Sequence, residues 1–261
     1  MARDVWEASA HGEPEGQGAS ALVPAAALPR VADILTESLN AMSADWKGYF
    51  LVGLGYTLAT IPLIVAAVLG VYAGMLPGLL AAGATQDATA AIIGFAVGLS
   101  AAGAFLLAIL VVVSGPLTAG LYRAMAANLD DGAPLTLGGS FSSLFRDLGR
   151  IVPVVVAQLA LTLSAAMFCY FPGLVVAAAL HFALPAVVLS RVGPVDALRA
   201  SARLFRQHPG WGVGAWGVGF LILLVSSNIP FVGNAFGTPL YVGYQLRLFR
   251  RAFGVGATTP A

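Results

Sequence analysis

One histidine, His181, sits inside a long apolar run, in Ala178-Ala179-Leu180-His181-Phe182. An ionisable side chain in such a place is costly in a bilayer and by default marks function. The nearest polar side chain in the preceding apolar run is Gln158. Counted from the turn at Tyr170–Pro172, Gln158 lies about 12 residues back and His181 about 10 forward. At a rise of about 1.5 Å per residue, that puts them at similar depth in adjacent helices. A Gln158–His181 hydrogen bond would satisfy both and contribute about 0.6–2 kcal/mol. Two roles stay open for this polar pair: a packing contact with a neutral imidazole, or contact with a proton or solute. No intramembrane carboxylate is present to complete a relay, which argues against proton coupling.

A second set of residues carries fixed charge. Arg199, Arg203 and Arg206 share one stripe of a helix with Asp196 and Gln207, while Leu198, Leu204 and Phe205 fall on the opposite side. Arg247, Arg250 and Arg251 close the last apolar stretch. An amphipathic helix of this kind lies in the membrane interface, and each cation near an anionic leaflet contributes about 1 kcal/mol. These six arginines are candidate contacts to anionic lipid; an ordinary cationic flank is the alternative. His11 and His208 fall in a tail and a loop. There is no Cys/His metal spacing, Gly-rich phosphate loop ending in Lys, HExxH or GxSxG. Neither a metal nor a cofactor is therefore expected. With no acid–base pair to reach a substrate, catalysis by the chain itself is not expected either.

The elements that must position these residues are membrane helices. The chain has 261 residues, of which 59% are hydrophobic and 10% charged, and its mean hydropathy is +0.87. Soluble domains carry about 25% charged residues, so an ordinary cytosolic enzyme is excluded. A net charge of +1 offers nothing to nucleic acid. The lone cysteine, Cys169, rules out an internal disulfide. Six stretches approach or exceed the ~20 apolar residues of a spanning helix: Tyr49–Gly74, Ala88–Val113, Ile151–Cys169, Gly173–Ser190, Trp211–Ser227 and Phe231–Phe249. The linkers after the first, third and fifth hold no Lys or Arg, and their only charge is Asp87. All 13 cations fall in the other segments. Cations resist translocation, so both termini are expected inside. All but Lys47 are arginines, in a chain dense in Ala and Gly, a bias that suggests a GC-rich bacterial genome. Asn228-Ile229-Pro230 is a turn signal, and the short fifth and sixth stretches form either two tilted spans or a re-entrant pair.

The six stretches form three units. Asp33 through Met42 aligns with Asp196 through Phe205, with Ser38 falling on Ser201. Pro116-Leu117-Thr118-Ala119-Gly120 aligns with Pro239-Leu240-Tyr241-Val242-Gly243. A looser copy runs from Phe141-Ser142-Ser143-Leu144-Phe145-Arg146 to Pro185 and Arg191. The expected fold is an all-α integral membrane protein: six transmembrane helices as three parallel hairpin units, each led by a cytoplasmic amphipathic helix. The units cover residues 31–130, 135–191 and 194–254, after a disordered tail (1–30) and before a flexible end (255–261). No signal peptide is evident in the tail, so the first span is expected to direct insertion. The acidic first lead-in helix, with Asp33 and Glu37, is expected to dock on the arginine-bearing third one and close a ring. Gly70/Gly74/Gly78, Gly94/Gly98, Gly210/Gly214 and Gly233/Gly237 have the four-residue spacing that lets helices pack closely. Pro62, Pro116, Pro153, Pro185 and Pro239 are expected to bend their helices.

From Leu135 to Phe253 the chain resembles a family of bacterial multi-pass membrane domains. That family includes the membrane domain of some glycerophosphodiester phosphodiesterases and stand-alone relatives of unknown function. The resemblance rests on Phe171-Pro172-Gly173, Phe182-Ala183-Leu184-Pro185, Gly193-Pro194-Val195-Asp196-Ala197-Leu198-Arg199-Ala200-Ser201, and Ile229-Pro230-Phe231-Val232-Gly233 with Pro239. It implies an inner-membrane helical bundle with no assigned chemistry. No catalytic barrel follows Phe253, so phosphodiesterase activity is not expected to carry over. The chain is thus expected to be an interaction, scaffolding or membrane-organising component, partnered by the bilayer, by other membrane proteins or by copies of itself. The alternative is a small-solute transporter or channel with its site near Gln158 and His181. A third class is an enzyme that holds lipid headgroups on the Arg199/Arg203/Arg206 stripe.

Overall fold

The computed structural model describes residues 22–25, 27–85, 89, 92–98, 100, 103, 113–141, 147–229 and 231–255. Most of the expected second span, the lead-in residues Ser142 to Arg146, Asp87, Pro230, and residues 1–21 and 256–261 lie outside this set. The described residues contain helices and no strands. Besides the helical residues 92–98, whose neighbours are not described, the helices in chain order are α1 Val31–Ala44, α2 Trp46–Thr85, α3 Gly115–Asp131, α4 Leu137–Phe141, α5 Leu148–Phe168, α6 Tyr170–Ala179, α7 Ala183–Ser190, α8 Pro194–Gln207, α9 Pro209–Ser227 and α10 Val232–Phe253. Among the described residues, four stretches are long and apolar enough to cross a membrane: Trp46–Leu76, Leu148–Phe168, Tyr170–Ser190 and Pro209–Ser227.

Local chemistry sets the boundaries. Asp45 ends α1 and opens α2, its carboxylate accepting the Gly48 N–H at 3.1 Å. α2 then runs 40 residues, through Pro62 and on past Gly74, where the sequence pattern had put a turn. Gly132 and Gly254 take left-handed backbone angles and stop α3 and α10, as helix C-termini commonly require. Cys169 is extended and separates α5 from α6.

The core gathers at the arginine-bearing ends of the helices. Ile34, Tyr49, Leu121, Tyr122, Met125, Ile151, Leu204, Tyr244, Leu246 and Phe249 are all fully buried there. At the opposite end Met167, Phe168, Tyr170 and Phe171 stand exposed. The outer flanks of α2, α5 and α9 are bare apolar surface, including Leu58, Leu69, Leu161, Leu221 and Val225. Helices that end in lipid need no protein cover there, because the tails solvate Leu and Val as well as a core does.

The shorter helices seat on their neighbours: α4 on α3, α8 on α7, α5 and α6, and α1 on α10. Ser38 and Ser201, which the repeat aligns, are both buried in these contacts. The first lead-in helix, α1, does not dock on the arginine-bearing third one, α8. Glu37 of α1 accepts both its bonds from Arg251 of α10, at 2.7 and 2.8 Å. The reason is geometric, since α8 turns Ala197, Ala200, Ser201 and Leu204 inward and keeps its arginines outside. Nor is the whole of 1–30 a loose tail. Leu22 is buried, the Ala25 N–H donates to the Ala252 carbonyl at 2.7 Å, and the Trp211 indole N–H donates to the Pro29 carbonyl at 2.9 Å.

The small-residue spacings divide into two kinds. A methyl built on Gly98 would overlap the Gly74 carbonyl, and those built on Gly233 and Gly237 would overlap Ser226 of α9. Around Gly210 and Gly214 there is open space. The closest approach outside these pairs is Gly53 of α2, where a methyl would overlap the Ala235 carbonyl and lie 2.7 Å from Pro239.

Candidate functional site

The stretch Tyr170–Ser190 is a broken helix: α6 ends at Ala179, Leu180 to Phe182 form a turn, and α7 resumes at Ala183. Pro185 explains part of the break. It has no N–H to give the His181 carbonyl four residues back. The Ala183 N–H bonds the Leu180 carbonyl at 3.0 Å, one residue closer than a helix requires, and so leaves the Ala179 carbonyl without its donor. Free carbonyls are tolerated at membrane depth only where protein groups or a lined cavity satisfy them.

Three helices supply those groups. Ser201 of α8 donates its hydroxyl to the Ala179 carbonyl at 2.7 Å and accepts the Phe182 N–H at 3.1 Å. Gln158 of α5 donates to the Leu180 carbonyl at 2.6 Å. Gln245 of α10 donates to the His181 carbonyl, and its own carbonyl accepts the Tyr122 hydroxyl of α3. Four helices thus hold one interruption open with side-chain hydrogen bonds.

A cavity of about 410 Å³ adjoins the break. Thr118 and Tyr122 reach it from α3, Gln158 and Thr162 from α5, and Tyr241 and Gln245 from α10; Trp216 and His181 complete its polar and aromatic lining. No charged side chain is among the described residues that line it. His181 is 6% exposed, and its Nε2 has no hydrogen-bond partner among the described residues. The ring packs edge-on against Phe182 and Tyr241, with centroids 4.9 and 6.1 Å away. An unpartnered buried polar atom costs about 1–3 kcal/mol, so a polar group entering this cavity could offset that cost by bonding to it.

Gln158 and His181 therefore meet at one place, but not through the bond expected of them. Gln158 takes the Leu180 main-chain carbonyl instead, because the break leaves that group a neutral acceptor in easy reach. Ser201, Gln245, Tyr122 and Tyr241 were missed as site residues. Pro185 was the available signal for Gln245: a proline in an apolar helix frees the carbonyl four residues back, and that carbonyl needs a donor from elsewhere.

The arginines separate into two groups. Arg199, Arg203 and Arg206 face outward on α8, Arg199 lying 3.7 Å from Asp196. Those of α10 turn toward the protein. Arg247 is half-buried, with the Ser38 hydroxyl at 3.4 Å and the Gly243 carbonyl at 3.3 Å. Arg250 grips Asp130 of α3 with two bonds of 2.5 and 2.6 Å, and Arg251 holds Glu37. Arg123 pairs with Asp147 at 2.9 Å. No group of three or more His, Cys, Asp or Glu side chains suited to a metal occurs among the described residues.

No protein-family model matches the chain. It is similar to an uncharacterized protein of Mycobacterium bovis, 28% identical over 137 residues. It is similar to uncharacterized proteins from two strains of Mycobacterium tuberculosis, at 28% and 27% over the same length. Each match takes in 51% of this chain and 42% of the relative, so the chain matches less than half the length of these curated relatives. No solved structure matches it.

Proposed function

We propose that this chain binds a small uncharged solute at the broken helix and moves it across a bacterial inner membrane, as a transporter or channel without catalysis of its own. In this proposal six helices span the bilayer as three parallel hairpin units, with the arginine-bearing ends and both termini in the cytoplasm. The observation that carries the function is the break itself. Interrupted helices whose freed backbone groups line a cavity are how many transporters build a site within the membrane. Here the break adjoins a cavity furnished with amide, hydroxyl and imidazole groups and an unpartnered His181 Nε2. A neutral lining favours a solute that brings hydroxyl or amide groups and no net charge, since an unpaired ion would lose its hydration without compensation.

The test is solute flux in proteoliposomes holding the purified chain, with glycerol, erythritol, urea and a monosaccharide as probes and lactate as the charged comparison. At least one neutral probe should enter faster than into empty liposomes. His181→Leu should slow it by about tenfold or more, the factor that corresponds to one buried hydrogen bond to the solute. Flux equal to that of empty vesicles for every neutral probe would reject transport.

A second reading, a membrane-organising or interaction component, is favoured by the outward arginine stripe of α8. Under it, changing Arg199, Arg203 and Arg206 together to Gln weakens attachment to anionic lipid, at about 1 kcal/mol per charge. Unchanged partition of the chain's nearest lipids between anionic and neutral species, read by native mass spectrometry, would reject it.

A further inference from the structure

A second cavity, of about 590 Å³, lies farther along the same helices toward their arginine-bearing ends. Arg123, Ala126 and Asp130 of α3, Val188 of α7 and Arg250 of α10 are among its walls. Those of the first cavity include Tyr122 of α3, Leu184 of α7 and Gln245 of α10. From Tyr122 to Ala126, Leu184 to Val188 and Gln245 to Arg250 is four or five residues in each case. That is a step of only about 6–8 Å at the helical rise. Two cavities stacked on the same three helices are therefore separated by about one turn.

Tyr122 and Gln245 line the first cavity at its end toward the second, where the Tyr122 hydroxyl donates to the Gln245 amide oxygen and the Gln245 amide nitrogen donates on to the His181 carbonyl. We propose that the second cavity is the cytoplasmic mouth of the first and that Tyr122 and Gln245 form the closed gate between them, a proposal that rests on the solute-binding function above. The gate consists of side chains alone, so it opens by exchange of one hydrogen bond without unwinding a helix. A solute hydroxyl or amide offers the same donor and acceptor that Tyr122 and Gln245 now offer each other. The two residues also occupy matching places, each six residues beyond the proline of its helix, Pro116 or Pro239. They thus meet across the contact of two related helices, where a small relative movement of the pair would part them.

The mouth suits the same class of solute. Its described lining holds Arg123, Arg191 and Arg250 against Asp130, Asp131 and Asp147, so its formal charges balance. Two of the arginines are tied to two of the aspartates across helix ends, Arg123 to Asp147 and Arg250 to Asp130. Such a rim is firmly held and draws in neither anions nor cations over the other.

Cysteine access in proteoliposomes tests this. Cys169 is the only cysteine and is exposed, so Cys169→Ser gives a clean background. Ala126→Cys reports on the mouth and Ala177→Cys on the cavity at the break. A membrane-impermeant methanethiosulfonate is applied from whichever face labels Ala126→Cys. From that face Ala177→Cys should react slowly, and Gln245→Ala or Tyr122→Phe should speed it by about tenfold, the factor set by one lost buried hydrogen bond. An unchanged Ala177→Cys rate in Tyr122→Phe, with Ala126→Cys still reacting normally, overturns the gate. Tyr122→Phe removes a single oxygen and so decides the matter should Gln245→Ala fail to fold. Protection of Ala177→Cys by the transported neutral solute is scored separately. Its loss alone would count against the solute site, whereas faster labelling without protection would still support the gate.

Discussion

Ser38 and Ser201 align in the repeat and are equally buried, yet replacing each with alanine should cost different amounts. Ser201 makes two bonds, to the Ala179 carbonyl and from the Phe182 N–H, and both partners belong to the helix break. Phe182 is buried, and its N–H has no other acceptor among the bonds around the break. Ser201→Ala therefore removes two bonds and strands a buried donor and a buried acceptor, a loss of about 2–3 kcal/mol. Ser38 donates at 2.8 Å to the Ile34 carbonyl of its own helix, and its one longer-range bond is a 3.4 Å contact from Arg247, which also reaches Gly243. Ser38→Ala leaves both partners served and should cost less than about 1 kcal/mol. The two changes remove the same single oxygen, so packing volume cannot account for a difference. Reversible unfolding of the purified chain in mixed micelles measures both. Equal losses, or a larger one for Ser38→Ala, would refute the claim that Ser201 holds the break together.

The remaining predictions concern packing, the site and the ion pairs. Gly53→Ala should destabilise by about 1–3 kcal/mol, the range for overpacking, because its methyl would meet the Ala235 carbonyl; Gly214→Ala, facing open space, should be silent in the same unfolding assay. Gln158→Leu should weaken binding of the neutral probe several-fold while costing stability only about 1 kcal/mol, since the Leu180 carbonyl keeps its bond from Ala183; loss of folding without a change in binding would contradict this. Glu37→Gln should shift stability by less than about 1 kcal/mol, because the Glu37–Arg251 pair is half exposed on both sides and screened. Raising the salt concentration should erase even that shift, and a large salt-independent loss would mean the pair does more than tie α1 to α10.

Much of this was readable in the residues themselves. Apolar run length marks Leu148–Phe168 and Pro209–Ser227 as membrane-length helices, because the bilayer thickness sets that number before any packing occurs. The period of α8 likewise separates Arg199, Arg203 and Arg206 from Leu204, since a helix assigns faces by sequence spacing alone. Equal depth for Gln158 and His181 followed from counting along two helices joined by one turn. Their hydrogen-bond partners did not follow, because a partner is chosen in three dimensions from every group within reach.

Composition, charge placement and helical period thus determined that the chain is made of apolar helices with its arginines at one end, because those properties depend on each residue and its near neighbours. Tertiary structure alone decided that Glu37 meets Arg251, that Ser201, Gln158 and Gln245 each take a carbonyl of the broken helix, and that His181 Nε2 is left beside a cavity. Those contacts join residues up to 214 positions apart, and only the way the helices pack brings them within the roughly 3 Å that a hydrogen bond demands.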